Sequence, residues 1–312
     1  LSFHTRIWHM AEDSESFRDA AQLEKLGAER NGNEWLAFDE RTAPQRYLPL
    51  YEAKMIHQYD HRWATYDGED CRDATIDEKR DPLFEPTPRY WVSERDVVAR
   101  LAAKGWTRGW LLAWRDITSA HVLRSVIFSV LPAVAIGHTS PLMFVDAKAS
   151  PWPALLANLN ALTLDFVARQ KIGGTHLTYG YLTQLPVLSP SEYTESDLAF
   201  IVARVLELAY TSHSMAPFAR DLGYAGPPFV WDEDRRAQLR AELDAWYARA
   251  YELTRDELRY ILDPADVKGP DYPSETFRVL KKNEIARWGE YRTARLVLAA
   301  WDAQEARPAA AQ

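Results

Sequence analysis

PWPALLANLNALTLDFVARQKIGGTHLTYGYLTQLPVLSP, residues 151–190, separates two kinds of sequence. It opens on prolines followed by apolar residues at helical spacing, which predicts one long helix over 151–170 with Pro in its first turn. Gly173 and Gly174 predict the stop of that helix. Residues 177–190, closed by prolines, predict a strand. Upstream, strand and helix signals alternate; downstream, helical periodicity dominates. The fold class expected is therefore α+β, with a mixed β-sheet domain followed by an all-helical C-terminal region.

On the upstream side, GNEWLAF (32–38), PRYWVS (88–93), RGWLLAWRDI (108–117), HVLRSVIFSVL (121–131) and PLMFVD (141–146) predict strands. SERDVVARLAAKG (93–105) predicts a helix capped by Ser93 and ended by Gly105, and DSESFRDAAQLEKLGAE (13–29) a short one starting at Asp13 or Ser14. On the downstream side, residues 195–213, 231–253, 254–262 and 274–304 carry apolar residues at helical spacing. Three regions follow: a lead-in segment over 1–46, a mixed domain over 47–190 and a helical extension over 191–312. The chain is 312 residues long, too many for one small core, and its 47% hydrophobic and 12% aromatic content excludes wholesale disorder.

One cysteine, Cys71, allows no internal disulfide and points to a reducing, cytoplasmic setting. The most apolar run, residues 122–137, is interrupted by Arg124 and Pro132 and is too short to span a bilayer, so no membrane partner is expected. The first residue is Leu1, which suggests a piece of a longer polypeptide. A net charge of -8 is unlike that of most nucleic-acid binders. Yet residues 101–190 carry +4, between segments of -7 and -5, so a phosphate backbone would be met in that middle block, with about three to five phosphates neutralised.

Chemistry-bearing motifs are sparse. The sequence has no G-x-G-x-x-G, no P-loop, no G-x-S-x-G elbow and no Cys/His cluster at metal spacing. The densest stretch is YLPLYEAKMIHQYDHRWATY (47–66), where two His, a Lys, an Arg, two acids and five aromatics share twenty residues. Glu52, Ala53 and Lys54 have the form of an E-x-K motif, with Asp39 upstream, so a Mg²⁺-dependent nuclease is one alternative: the acids would hold the metal and the Lys would stabilise the attacking water. His57 and His61, four apart, would share a face if helical. A protein-interaction scaffold using the acidic helical tail is another alternative.

The order of LPLYEAKMIHQYDHR, then RGWLLAWRDIT, then LLANLNALTLDFVARQKIGGTHLTYGYLTQLPVLSP resembles the C-terminal specificity region of adenine DNA methyltransferases of the TaqI-like and type IIG restriction-modification kind. It looks closest to the large phage-defence methyltransferases of BREX and DISARM-like systems. In that family a K-x-I segment opens the target-recognition domain, and a Leu-Asn-Ser-like turn precedes a Gly-containing loop and an L-P-I-P-like motif. Here the turn is Leu159-Asn160-Ala161 and the later motif Leu185-Pro186-Val187-Leu188, so Ala161 replaces Ser and Leu188 the second Pro.

The resemblance implies a module that reads duplex DNA beside a catalytic domain that flips and methylates adenine. The S-adenosylmethionine loop and the N-P-P-Y-type motif of these enzymes are both missing from the 312 residues. The cofactor and the catalytic groups are thus expected in an upstream methyltransferase domain, with no catalytic residue, cofactor or metal in this chain. Other defence-system subunits are possible further partners. Candidate DNA contacts are Lys54, His57 and Arg62 from the opening stretch, Arg108, Arg115, Arg124, Arg169 and Lys171 from the basic block, and Gly173, Gly174, His176 and Thr178 around the glycine turn. Plainer roles compete with these: an internal ion pair for Arg115, core packing for Trp106, Trp110 and Trp114, and turn bracing for Asn158 and Asn160.

Overall fold

The computed structural model describes residues 1–39, 42–145 and 151–306. Its strands are β1 (Ser2–His4), β2 (Glu29–Asn31), β3 (Glu34–Asp39), β4 (Thr42–Tyr51), β5 (Ala64–Asp67), β6 (Asp70–Asp73), β7 (Trp91–Ser93), β8 (Trp110–Trp114), β9 (Phe128–Pro132), β10 (Ala135–Ile136) and β11 (Leu142–Phe144). The first helices are α1 (Ala20–Lys25), α2 (Ile76–Arg80), α3 (Glu94–Ala103), α4 (Trp152–Asn160), α5 (Leu162–Lys171), α6 (Tyr179–Leu182) and α7 (Glu195–Ala209). They are followed by α8 (Ala216–Asp221), α9 (Glu233–Ala250), α10 (Arg255–Leu262), α11 (Pro264–Lys268), α12 (Arg278–Trp288) and α13 (Arg292–Glu305). The protein is α+β, with helices concentrated in its C-terminal half. No helix among the described residues is long and apolar enough to cross a membrane.

Two compact units do not follow chain order. One comprises Leu1–Asp116, Phe128–Ser150 and Leu206–Trp231; the other comprises Ile117–Ile127, Pro151–Val205 and Asp232–Gln312.

The first unit is built on two main sheets. One runs β1-β11-β8-β9 and is antiparallel. All five residues of β8 are buried, as expected of a strand covered on both faces. The other sheet runs β10-β4-β3-β2, with β7 also on β4; it is mixed because β10 joins β4 in parallel. The expected boundary at 46/47 falls inside β4, whose Arg46 faces Leu36 while Tyr47 faces both Trp35 and Ser93. The helix expected over 93–105 forms as α3: Ser93 Oγ accepts from Asp96 N at 3.2 Å, Val97 and Leu101 turn inward, and Gly105 takes φ +81° after the last turn. The early helix starts later than expected. Residues 14–16 make a single 3₁₀ turn, and α1 begins after Asp19, whose side chain accepts from Gln22 N in a capping box.

The second unit packs helices around Leu162, Ala241, Ala245, Leu258, Phe277, Leu280, Val297 and Trp301. The long helix expected over 151–170 is two helices, broken at Ala161, which is extended with φ -67° and ψ 145°. Residues 177–190 form α6 and turns instead of the expected strand. Likewise only Phe128–Pro132 of the strand expected over 121–131 forms, because Arg124 and Ser125 are drawn to a buried carboxylate described below.

Candidate nucleic-acid interface

Within the second unit, a buried carboxylate organises two loops. Asp165, on α5, is fully buried; Arg124 Nε donates to it at 2.7 Å, Arg169 Nε at 3.1 Å and Ser125 N at 3.2 Å. Further guanidinium donors close on backbone carbonyls. Arg124 donates to Asn160 O at 2.5 Å, and Arg169 to the carbonyls of Ala120, Val122, Leu123 and Thr276 between 2.8 and 3.1 Å. Burial pulls the Arg169 pKa down, while the Asp165 charge opposes that shift. A buried triad of this kind costs desolvation, offset here by the ion pairs and by the full set of bonds that Arg169 makes, and it fixes residues 117–127 against α5.

The break at Ala161 has a distant cause. Alanine has no capping side chain, and Asp244 on α9 supplies one, with Oδ1 accepting from Leu162 N at 2.7 Å. Burial pushes the Asp244 carboxyl up to about 6. Asn158 is the brace the sequence suggested: its Oδ1 accepts from Leu188 N at 2.9 Å and its Nδ2 donates to Tyr251 OH at 2.7 Å. Leu188 is thereby held with no second proline.

On this base, the chain after α5 runs out into solvent. Lys171, Gly173, Gly174, His176 and Thr178 are all exposed, and Thr118 N donates to Thr175 O at 3.0 Å, joining the loop to the 117–123 segment. Ile117 and His176 form an isolated antiparallel bridge. A Cβ added to Gly173 or Gly174 would meet nothing within 4 Å, so both Cα positions lie in open surroundings. Sequence reasoning missed two more residues of this surface: Tyr179, 56% exposed, and His121. Tyr179 could have been flagged as an aromatic beside a glycine turn; His121 carried no local signal.

The remaining candidates sit elsewhere or inward. Arg124 and Arg169 belong to the buried triad, which corrects their expected role as direct DNA contacts. Arg62, in the first unit, is corrected likewise: it is fully buried and donates to the carbonyls of Lys79, Asp81, Phe84 and Thr211 at 2.7 to 3.1 Å. His57 is also buried, its ring centroid 4.3 Å from that of Trp63. Arg115, a candidate DNA contact with an internal ion pair as its plainer alternative, donates to Ile56 O at 2.7 Å and to Lys54 O and so braces a turn; burial lowers its pKa to about 10. Arg108 is paired with Asp221, which also accepts from Trp110 Nε1 at 2.8 Å. Trp106, Trp110 and Trp114 are core residues. Of the opening stretch, Lys54 alone among the candidates keeps an exposed head, 4.6 Å above the Tyr66 ring.

The density of polar residues at 57–62 thus serves an interior. Asp60, 3% exposed, accepts from Lys79 Nζ at 2.7 Å and from Arg62 N at 2.8 Å, and Lys79 lies 4.6 Å from both the Trp63 and Trp231 rings. His61 Nε2 is 3.1 Å from Ser212 Oγ and 3.4 Å from Glu85 Oε2. One ring nitrogen faces both partners and His61 is 1% exposed, so the group is closed to a substrate and lacks a relay through the two nitrogens. For the nuclease alternative, Glu52 accepts from Tyr66 OH at 2.5 Å and sits 3.7 Å from Lys54. The Asp39 side chain lies outside the described residues.

Compared with protein-family models, curated proteins and solved structures, the chain finds no match.

Proposed function

We propose that this chain is the sequence-specific duplex DNA recognition module of an S-adenosylmethionine-dependent N6-adenine DNA methyltransferase acting in restriction-modification or phage defence. The observation that carries the reading is the exposed Lys171–Tyr179 loop, raised on a buried Arg-Asp-Arg triad. Recognition needs groups that are accessible yet held in place, because misplacement by an ångström forfeits base contacts. Lys171 and the amides of Gly173 and Gly174 suit phosphate oxygens, which position the module. His176, Thr178 and Tyr179 suit base edges and sugar, which carry sequence information. The methyl donor and the pocket for the flipped adenine would belong to a catalytic domain working with this module in the cytoplasm.

The test is the methylation pattern of cells carrying the whole enzyme. Substituting His176, Thr178 and Tyr179 together by Ala is expected to relax or change one or two positions of the methylated site, at about 1–3 kcal/mol each. An unchanged site at unchanged expression removes these residues from recognition.

A further inference from the structure

Residues 6–13 follow β1 in the first unit and are held by two ties of different chemistry. The first is ionic. Arg100, on α3, donates to Asp13 Oδ1 at 2.8 Å and to Ile7 O at 2.8 Å, while Asp13 Oδ2 accepts from His9 N at 2.7 Å. Hydrogen bonding to the Arg100 guanidinium holds the Asp13 carboxyl below the usual carboxylate range, so this tie stays charged in mild acid. The second is a pair of imidazoles. His9 stacks on His138 with ring centroids 4.5 Å apart and planes 31° from parallel. Met10 N donates to His138 Nδ1 at 3.5 Å, Glu12 N donates to His9 Nδ1 at 3.3 Å, and Trp8 bridges to Gly137. Arg6, at the start of the segment, takes φ +59°, a left-handed conformation that a non-glycine residue keeps only while its surroundings fix it.

Both Nδ1 atoms accept from a backbone N–H, so each neutral ring carries its proton on Nε2. A second proton can enter only at Nδ1. It would turn an acceptor into a donor facing an amide and would set two like charges side by side. We propose that the His9–His138 stack is an acid-sensitive latch, which closes residues 6–13 over the 137–139 turn at neutral pH and opens them in mild acid. The charged groups around the rings support this direction. Burial first, then His9 and Arg6, hold the His138 pKa below its ordinary value of 6.5, against the opposing charges of Asp116 and Glu12. The closed segment therefore binds a proton less tightly than the open one: closure is at full strength above about pH 6.5 and weakens as pH falls below it. Opening uncovers Trp8, which has no exposed surface while the segment is closed. The latch lies in the first unit and shares no residue with the Lys171–Tyr179 loop, so neither reading depends on the other.

Amide hydrogen exchange of the full chain at about pH 7.5 and about pH 5, corrected for the intrinsic effect of pH on exchange, tests the latch. The protection of residues 8–13 is expected to fall about threefold or more between the two, with that of β8 unchanged. His138→Asn keeps an acceptor near the Nδ1 position and cannot be charged, so its protection should be the same at both pH values. A second measurement does not depend on that variant. NMR titration should place the His138 ring below its ordinary 6.5 and move it upward in His9→Asn, where the like charge is gone. Equal protection of residues 8–13 at both pH values, a loss shared by β8, a loss that survives in His138→Asn, or a His138 ring that titrates at or above 6.5 each overturns the proposal.

Discussion

Asp244 shows how one residue can be read only from its surroundings. It is buried, accepts from Leu162 N and has its carboxyl pushed up to about 6. Because that lies above the ordinary value of 3.8, the folded state holds the proton more tightly than the unfolded chain. The resulting stabilisation is complete below about pH 4 and is lost as pH rises through 6. Asn at this position keeps an acceptor for Leu162 N and has no charge to desolvate. Asp244→Asn is expected to raise stability at pH 8 by about 2–3 kcal/mol and to leave pH 4 stability nearly unchanged, as measured by urea unfolding across that range. Equal effects at both pH values would contradict the assignment. Asp165 should behave oppositely. Asp165→Ala leaves two buried guanidinium groups without a counter-ion and is expected to cost about 3–5 kcal/mol, against less than about 0.5 kcal/mol for Lys171→Ala on the exposed loop. The sequence offered no sign separating Arg169 from Lys171, two residues apart; only the burial of one and the exposure of the other does so.

At the level of elements, what was legible was local. The helix from Ser93 to Gly105 carries its cap, apolar stripe and stop within thirteen residues, and it forms where its letters place it. The single helix read over 151–170 fails because the group that starts its second half comes from Asp244, 82 residues on. The polar cluster at 57–62 reads as surface for the same reason: its partners Lys79, Glu85, Thr211 and Ser212 are too distant in the chain to register as neighbours. In the site, the loop after α5 was legible through its glycines, whereas the supporting arginines were mistaken for contacts because charge alone does not reveal depth. The glycines allow a direct test of the loop. Neither Gly173 nor Gly174 has an obstacle near an added Cβ, so Gly173→Ala/Gly174→Ala is expected to leave stability unchanged or raise it by about 0.4–1 kcal/mol through the unfolded chain. If their amides meet phosphate closely, the same methyl groups should weaken DNA binding about tenfold. Thermal unfolding and a binding titration on one preparation separate the two effects, and equal affinity of both proteins would argue against backbone contact.

For the whole molecule, charge and accessibility revise the sequence expectation together. The +4 of residues 101–190 includes Arg124 and Arg169, now committed to Asp165, and Arg108, paired with Asp221. Fewer cations remain for phosphate, so about two or three contacts replace the three to five expected from composition. An acidic chain with so few contacts should bind weakly without its site, and its binding should fall less steeply with salt than three to five contacts would require. The most direct measurement is a titration of labelled duplex DNA with the purified chain at several salt concentrations, beside Lys171→Ala. Saturable binding at low salt is expected, with a slope of log K against log salt of roughly -2 to -3 that becomes shallower by about 1 in the variant. Absence of binding at low salt, indifference to salt, or an unchanged slope in Lys171→Ala would contradict the recognition reading.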